Sequence, residues 1–211
     1  IEFLRTHLPS DCELITNVEL RAGGAGRTFE HDAIVVCPYM VFAIELKNYS
    51  GLTRGNRDRW YLEGGQVVQS PVPLQSQKAR VLKGLLQDQH FSLRDVWVQP
   101  IVFLSNRNAT CELTAYGDIV FTRADLIAAL ADRRRWPQGK GITRKQHQEI
   151  MKLLLDQGSV PELDQRLGPF QLTEQLPDRG THYVAWRGTR HGKPRTLHVY
   201  EVRGGDPKAR A

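Results

Sequence analysis

The sequence predicts an α/β fold, a mixed sheet flanked by helices, and three observations carry that expectation. Short β-rich runs separated by turn residues occupy the N-terminal third, an apolar helical period follows, and a dense apolar strand and a second amphipathic helix come next. Hydrophobic residues make up 40% and charged residues 25% of the 211, which is the balance of a folded chain and excludes a mainly disordered one. The length suits one ordinary domain, or one with part of a second.

Taken in order, Ile1, Leu4 and Leu8 repeat at helical spacing up to Pro9, the last turns of a helix. Glu13 to Leu20 alternates as a strand, Gly23 to Gly26 forms a turn, and Asp32 to Val36 and Val41 to Leu46 form two β runs joined near Cys37-Pro38-Tyr39. A glycine-containing turn at Ser50 to Gly55 precedes a second hairpin, Trp60 to Leu62 with Gln66 to Val68. Pro71 and Pro73 suit a helix entry, and Leu74, Ala79, Val81, Leu82, Leu85 and Leu86 continue the helix. Val96 to Leu104 and Asp118 to Phe121 read as strands, Arg123 to Ala131 and Thr143 to Asp156 as helices. Arg133 to Gly141 is basic and rich in breakers, the edge of a first domain, with Arg133-Arg134-Arg135 a charged helix end. Beyond it, Phe170 to Leu176, Tyr183 to Trp186 and Thr196 to Val202 are strand-like, with turns at Pro177 to Gly180 and Gly188 to Pro194.

Three cysteines, Cys12, Cys37 and Cys111, are an odd number without a C-x-x-C pair, so buried free thiols are expected instead of a disulfide or a zinc site. No apolar run is long enough for a membrane helix and no signal peptide is visible, so a soluble, cytoplasmic protein without membrane contact is expected. The start without Met suggests a piece of something longer. The net charge of +6 is concentrated at the C-terminus: residues 166–211 hold nine Lys and Arg against four Asp and Glu, leaving 20 against 19 before them. Composition alone does not make the N-terminal part a nucleic-acid binder.

The chemistry lies in Glu30-His31-Asp32 and Glu45-Leu46-Lys47. Side chains alternate along a strand, so Glu45 and Lys47 share one face and Leu46 takes the other. If Asp32 begins the neighbouring strand, its carboxylate meets that of Glu45 at one edge of the sheet, a hard-oxygen pair suited to Mg²⁺ or Mn²⁺. With Lys47 beside the cation's water, that set fits phosphodiester hydrolysis. A solvated Glu-x-Lys ion pair is the plain alternative. Arg54, Arg57 and Arg59 beside Trp60 are suited to backbone phosphates, or to a solvated turn with Trp60 packed beneath.

Leu8-Pro9, Asn17 to Leu20, Glu30-His31-Asp32, Val41 to Gly51, Trp60 and Pro73-Leu74-Gln75 together resemble the nuclease-related domain, or NERD, a branch of the PD-(D/E)xK superfamily, over roughly residues 1–130. The resemblance implies a restriction-endonuclease-like core and a DNA-directed nuclease. Asp32 and Glu45 would hold the metal, with the Leu46 carbonyl a further ligand, Lys47 the catalytic lysine and Gln75 an accessory polar residue rivalled by Gln77. Glu2 is the one candidate for the acidic residue of the first helix, and His31 is a strand histidine or a substrate contact. Leu167 to Arg187 resembles the opening of a protein-kinase small lobe, although its loop holds only Gly180 and His198 stands at the lysine position of the third strand, so no ATP binding by this segment alone is expected. The implied organisation is a nuclease-like domain over 1–136, a helical linker over 137–165 and a kinase or pseudokinase fragment over 166–211. The pairing resembles kinase components of phage-growth-limitation and BREX-type defence, with other defence subunits as partners. A non-catalytic nucleic-acid or protein docking module regulating an attached kinase is the alternative.

Overall fold

Runs of apolar residues with alternating faces assemble a central sheet first. In the computed structural model, which describes residues 1–21, 28–113, 118–137, 141–157, 166–167, 170–179, 183–190 and 193–200, the chain forms two compact units, 1–160 and 161–211. The central sheet of the first unit contains β1 (Glu13–Arg21), β2 (Thr28–Cys37), β3 (Met40–Lys47), β7 (Val98–Leu104) and β9 (Val120–Thr122), in the spatial order β1-β2-β3-β7-β9. The first three strands are antiparallel and the last two join in parallel, a mixed sheet as expected.

Helices cover both faces. Val18, Ile34, Val36, Val41 and Ala43 pack on one side against Ala79, Leu82 and Leu86 of α2 (Val72–Gln89) and Ile150, Leu153 and Leu154 of α4 (Arg144–Gln157). On the other side Ala33, Val35, Phe42, Ile44 and Phe103 meet Leu4 of α1 (Glu2–His7) and Leu126 and Leu130 of α3 (Leu126–Ala131). Strands covered on both faces read as near-continuous apolar runs, which is why β3 carries six buried residues in succession. The breaker rule also holds: Pro71 caps α2 and Pro73 sits in its first turn.

A second, smaller sheet runs β6 (Val67–Gln69), β5 (Arg59–Leu62), β4 (Leu52–Gly55) and β8 (Thr110–Glu112), with Trp60 fully buried beneath it. The expected β5–β6 hairpin is present. The expected turn at Ser50 to Gly55 is corrected, because Leu52–Gly55 pairs with both β5 and β8 and is a strand in the middle of that sheet. Gly51 takes φ +70 just before it, where an added Cβ would collide with the Glu63 carboxylate that accepts the Leu52 N–H. The arginine run 133–135 is a short 3-10 turn after α3, closed by the Asp132 carboxylate accepting the Arg134 N–H.

The free-thiol expectation is corrected as well: Cys12 and Cys37 form a disulfide, and only Cys111 is a free cysteine. Glu13 pairs with Val36, so the antiparallel register brings Cys12 opposite Cys37, with Cα atoms 4.2 Å apart. Nothing in a spacing of 25 residues reveals that pairing without the register.

The second unit contains an antiparallel sheet, β10 (Arg166–Leu167), β11 (Phe170–Arg179), β12 (Tyr183–Arg190) and β13 (Lys193–Tyr200). The turn expected at Gly188 to Pro194 is narrowed: Gly188 pairs with Arg195, Thr189 with Pro194 and Arg190 with Lys193, so these flanking residues belong to the strands, and residues 191–192 lie outside the described residues. The turn expected at Pro177 to Gly180 is corrected too, since Pro177, Asp178 and Arg179 belong to β11, with a register shift between Gln175 and Arg179; Gly180 lies outside the described residues.

Candidate functional site

The site is a fork between two strands. The β2–β3 ladder runs as far as Ala33↔Ile44; beyond it β2 continues against β1 alone, while Glu45, Leu46 and Lys47 pair with Val102, Phe103 and Leu104 of β7. One step past the last pair, Asp32 and Glu45 stand where the strands part. Asp32 occupies the gap: its Oδ2 accepts the Leu46 N–H at 2.7 Å, taking the place of a ladder hydrogen bond. Opposite Asp32 on β1, between Thr16↔Ala33 and Val18↔His31, Asn17 adopts φ +55, a conformation Asn tolerates better than most residues. Ile15 and Val18, three residues apart, consequently pack on the same side, and His31 as partner of Val18 faces α2.

Glu45 is 8% exposed and fully engaged: Lys47 Nζ donates to Oε1 at 2.7 Å and Lys78 Nζ of α2 to Oε2 at 2.6 Å. Gln75, one helical turn before Lys78, donates from Nε2 to the Ala43 carbonyl at 2.5 Å. Its Oε1 is buried and has no partner among the described residues, nor does either ring nitrogen of the buried His31. Orphaned buried polar atoms are uncommon and point to water, an ion or a ligand.

Electrostatics follow from burial and neighbours. Burial pushes the Asp32 carboxyl above its ordinary value, against the Leu46 hydrogen bond that favours the ionised form, with the Glu45 charge adding to the rise. Burial alone would do the same to Glu45, but the hydrogen bonds and charges of Lys47 and Lys78 outweigh it and hold this carboxyl below its ordinary value. Lys47 is raised, burial being overcome by its bond and attraction to Glu45, then by Tyr49 and Asp32. His31 is lowered to about 4 by burial and by the Lys78 ammonium.

Of the residues singled out from sequence, the structure brings Asp32, Glu45, Lys47 and Gln75 to this fork. They meet at the end of a ladder between two interior strands, and not at the sheet edge that the sequence suggests; β2 also begins at Thr28, four residues before Asp32. Glu2 lies elsewhere, its side chain 84% exposed and paired with Arg5 at 3.8 Å. Arg54, Arg57 and Arg59 lie on the β4–β5 hairpin, all exposed; Arg54 is bound to Glu112 at 2.8 Å, and Asn56 Oδ1 ties the turn by accepting the N–H groups of Asp58 and Arg59. Lys78 is the participant that sequence reasoning missed. Its signal was its position three residues after Gln75, on the same buried face of a helix.

A hard cation fits the donor chemistry. Two carboxylates at the fork and the unpartnered Gln75 Oε1 are all oxygen donors, suited to an ion that keeps part of its water. No group of three or more His, Cys, Asp and Glu that could hold a metal occurs among the described residues. No described helix is long and apolar enough to cross a membrane. No curated protein and no solved structure gives a significant match to the chain. Residues 1–105, which contain the whole fork, match the family model described as the nuclease-related domain.

Proposed function

We propose that this domain is a Mg²⁺- or Mn²⁺-dependent nuclease acting on DNA phosphodiester bonds. The observation that carries the reading is the strand fork: two partly desolvated carboxylates, Asp32 and Glu45, with Lys47 hydrogen-bonded to one of them, inside the stretch that matches the nuclease-related domain. Asp32 and Glu45 would hold the cation. The chemistry such a cation supplies when bound is Lewis-acid stabilisation of the phosphate under attack and a lowered pKa for water. Lys47, held protonated by Glu45, places an ammonium where it orients a water and meets developing negative charge. Lys78 fixes the second Glu45 oxygen, and Gln75, anchored on Ala43, leaves Oε1 as an acceptor for a water proton. Arg54, Arg57 and Arg59 supply exposed positive charge for the phosphate backbone.

The saturation of both Glu45 oxygens by ammonium groups favours a second reading, a docking module that keeps the fold without chemistry. The sequence resemblance further supports residues 166–211 as the opening of a kinase-like domain and a setting in bacterial phage defence. The deciding experiment incubates linear, circular and single-stranded DNA and RNA with the protein in Mg²⁺, Mn²⁺ or EDTA, beside Asp32→Asn and Lys47→Ala. Cleavage that needs metal and disappears in both folded variants supports the nuclease; absent cleavage supports the docking module, and cleavage that persists in EDTA overturns the metal-dependent reading.

A further inference from the structure

A groove of about 330 Å³ lies between α2 and the start of β7, lined by Ser76, Ala79, Arg80, Lys83, Trp97 and Pro100 together with Val98. It begins on the same two turns of α2 as the fork, with Gln75 and Lys78 reaching Ala43 and Glu45 while Ser76 and Ala79 face the groove. Its floor is the part of β7 before the β9 pairing, which spans only Val102 to Leu104. Trp97 is the unusual member: a large aromatic ring 43% exposed, yet held in place because its indole N–H donates to the buried Gln99 Oε1 at 3.2 Å and Gln99 Nε2 donates to the Asp118 carbonyl at 2.9 Å. Lys83 Nζ stands 4.9 Å from the ring centre, and among the described residues no acidic side chain lines the groove.

We propose that this groove is a binding site for single-stranded nucleic acid, in which a base stacks on Trp97 while Arg80 and Lys83 meet the adjoining phosphates. The inference rests on the reading of the fork as a site for polynucleotides, and it adds where the strand leaving that site is held. A fixed, partly exposed indole supplies a stacking face at little entropic cost, cations without an acidic neighbour in the groove match phosphate, and the small apolar lining of Ala79, Val98 and Pro100 excludes water from the base edge. An acidic peptide would use the cations but leave the ring without a function.

The test is the affinity of the full chain for short fluorescein-labelled oligothymidylate and oligouridylate, followed by anisotropy in EDTA so that no cleavage intervenes; the two probes separate DNA from RNA. Trp97→Ala is expected to weaken binding about 5- to 100-fold, with Trp97→Phe close to wild type because stacking survives. Arg80→Ala and Lys83→Ala each flatten the dependence of log affinity on log salt by about 0.7. Wild-type affinity in Trp97→Ala, or no binding of either strand by the wild type, overturns the proposal. Should Trp97→Ala fail to fold, the double charge reversal Arg80→Glu/Lys83→Glu decides, and unchanged affinity overturns it. Trp97-dependent binding without any metal-dependent cleavage keeps the groove and removes the nuclease, while cleavage with affinity indifferent to Trp97 does the reverse.

Discussion

The strand fork and the β4–β5 hairpin both attract attention through charged residues on strands, yet physics treats their charges differently. At the fork, Glu45 is buried and clasped by two ammonium groups, one from its own strand and one from α2. On the hairpin, Arg54 and Glu112 approach as closely, at 2.8 Å, but their side chains are 61% and 63% exposed. Water screens the second pair and not the first, so equal distances carry unequal energies. A short ion-pair distance therefore identifies a site only when burial accompanies it.

Removing one partner from each pair separates the buried ion pair from the exposed one. Glu45→Ala leaves the Lys47 and Lys78 ammonium groups beside an empty carboxylate position, and a loss of about 3–5 kcal/mol in urea unfolding is expected. The same experiment on Arg54→Ala should show about 0–1 kcal/mol. Equal losses would erase the distinction.

A second contrast concerns pH. His31 titrates at about 4 in the folded chain, below its ordinary 6.5, so the unfolded chain binds the extra proton between those values. Stability therefore falls as pH drops from about 6.5 to about 4, by about 3 kcal/mol from this group. Asp32 acts in the opposite sense, since its raised carboxyl takes up a proton more readily when folded. Comparing urea midpoints of wild type and His31→Leu across that range isolates the histidine, and identical slopes would refute its assigned burial.

The Cys12–Cys37 bridge closes a loop of 25 residues at the far end of the β1–β2 ladder. Reducing it should lower stability by about 3 kcal/mol in thermal unfolding, an effect absent from Cys111→Ser. The smallest expected effect belongs to the hairpin: Arg57→Ala/Arg59→Ala leaves unfolding within about 0.5 kcal/mol and reduces the salt slope of DNA binding, by about one for each phosphate no longer neutralised.

Much of this was legible because it is local. Alternation located β1 and β-rich apolar runs located β2 and β3 within a few residues, Pro71 and Pro73 marked the start of α2, and Glu45-Leu46-Lys47 announced a charged face beside an apolar one. What was missed depends on partners distant in sequence. Lys78 gains its meaning from Glu45, 33 residues earlier, and the disulfide from a register. Leu52–Gly55 looks like a turn because Gly51 and Gly55 bracket it, while its pairing with Thr110–Glu112 is a long-range event that overrides them. The turn expected at Gly188 to Pro194 is narrower than its breakers suggest for the same reason, since cross-strand pairing draws both Gly188 and Pro194 into β12 and β13.

Under the proposed function, Asp32 and Glu45 would together hold one divalent cation at the fork. The most direct measurement is titration of the protein with Mn²⁺, following loss of the free-ion electron paramagnetic resonance signal, for wild type, Asp32→Asn and Glu45→Gln. One Mn²⁺ per chain in the wild type, lost in both folded variants and competed by Mg²⁺, is the predicted result. No bound Mn²⁺, or binding unchanged in Asp32→Asn, would contradict it.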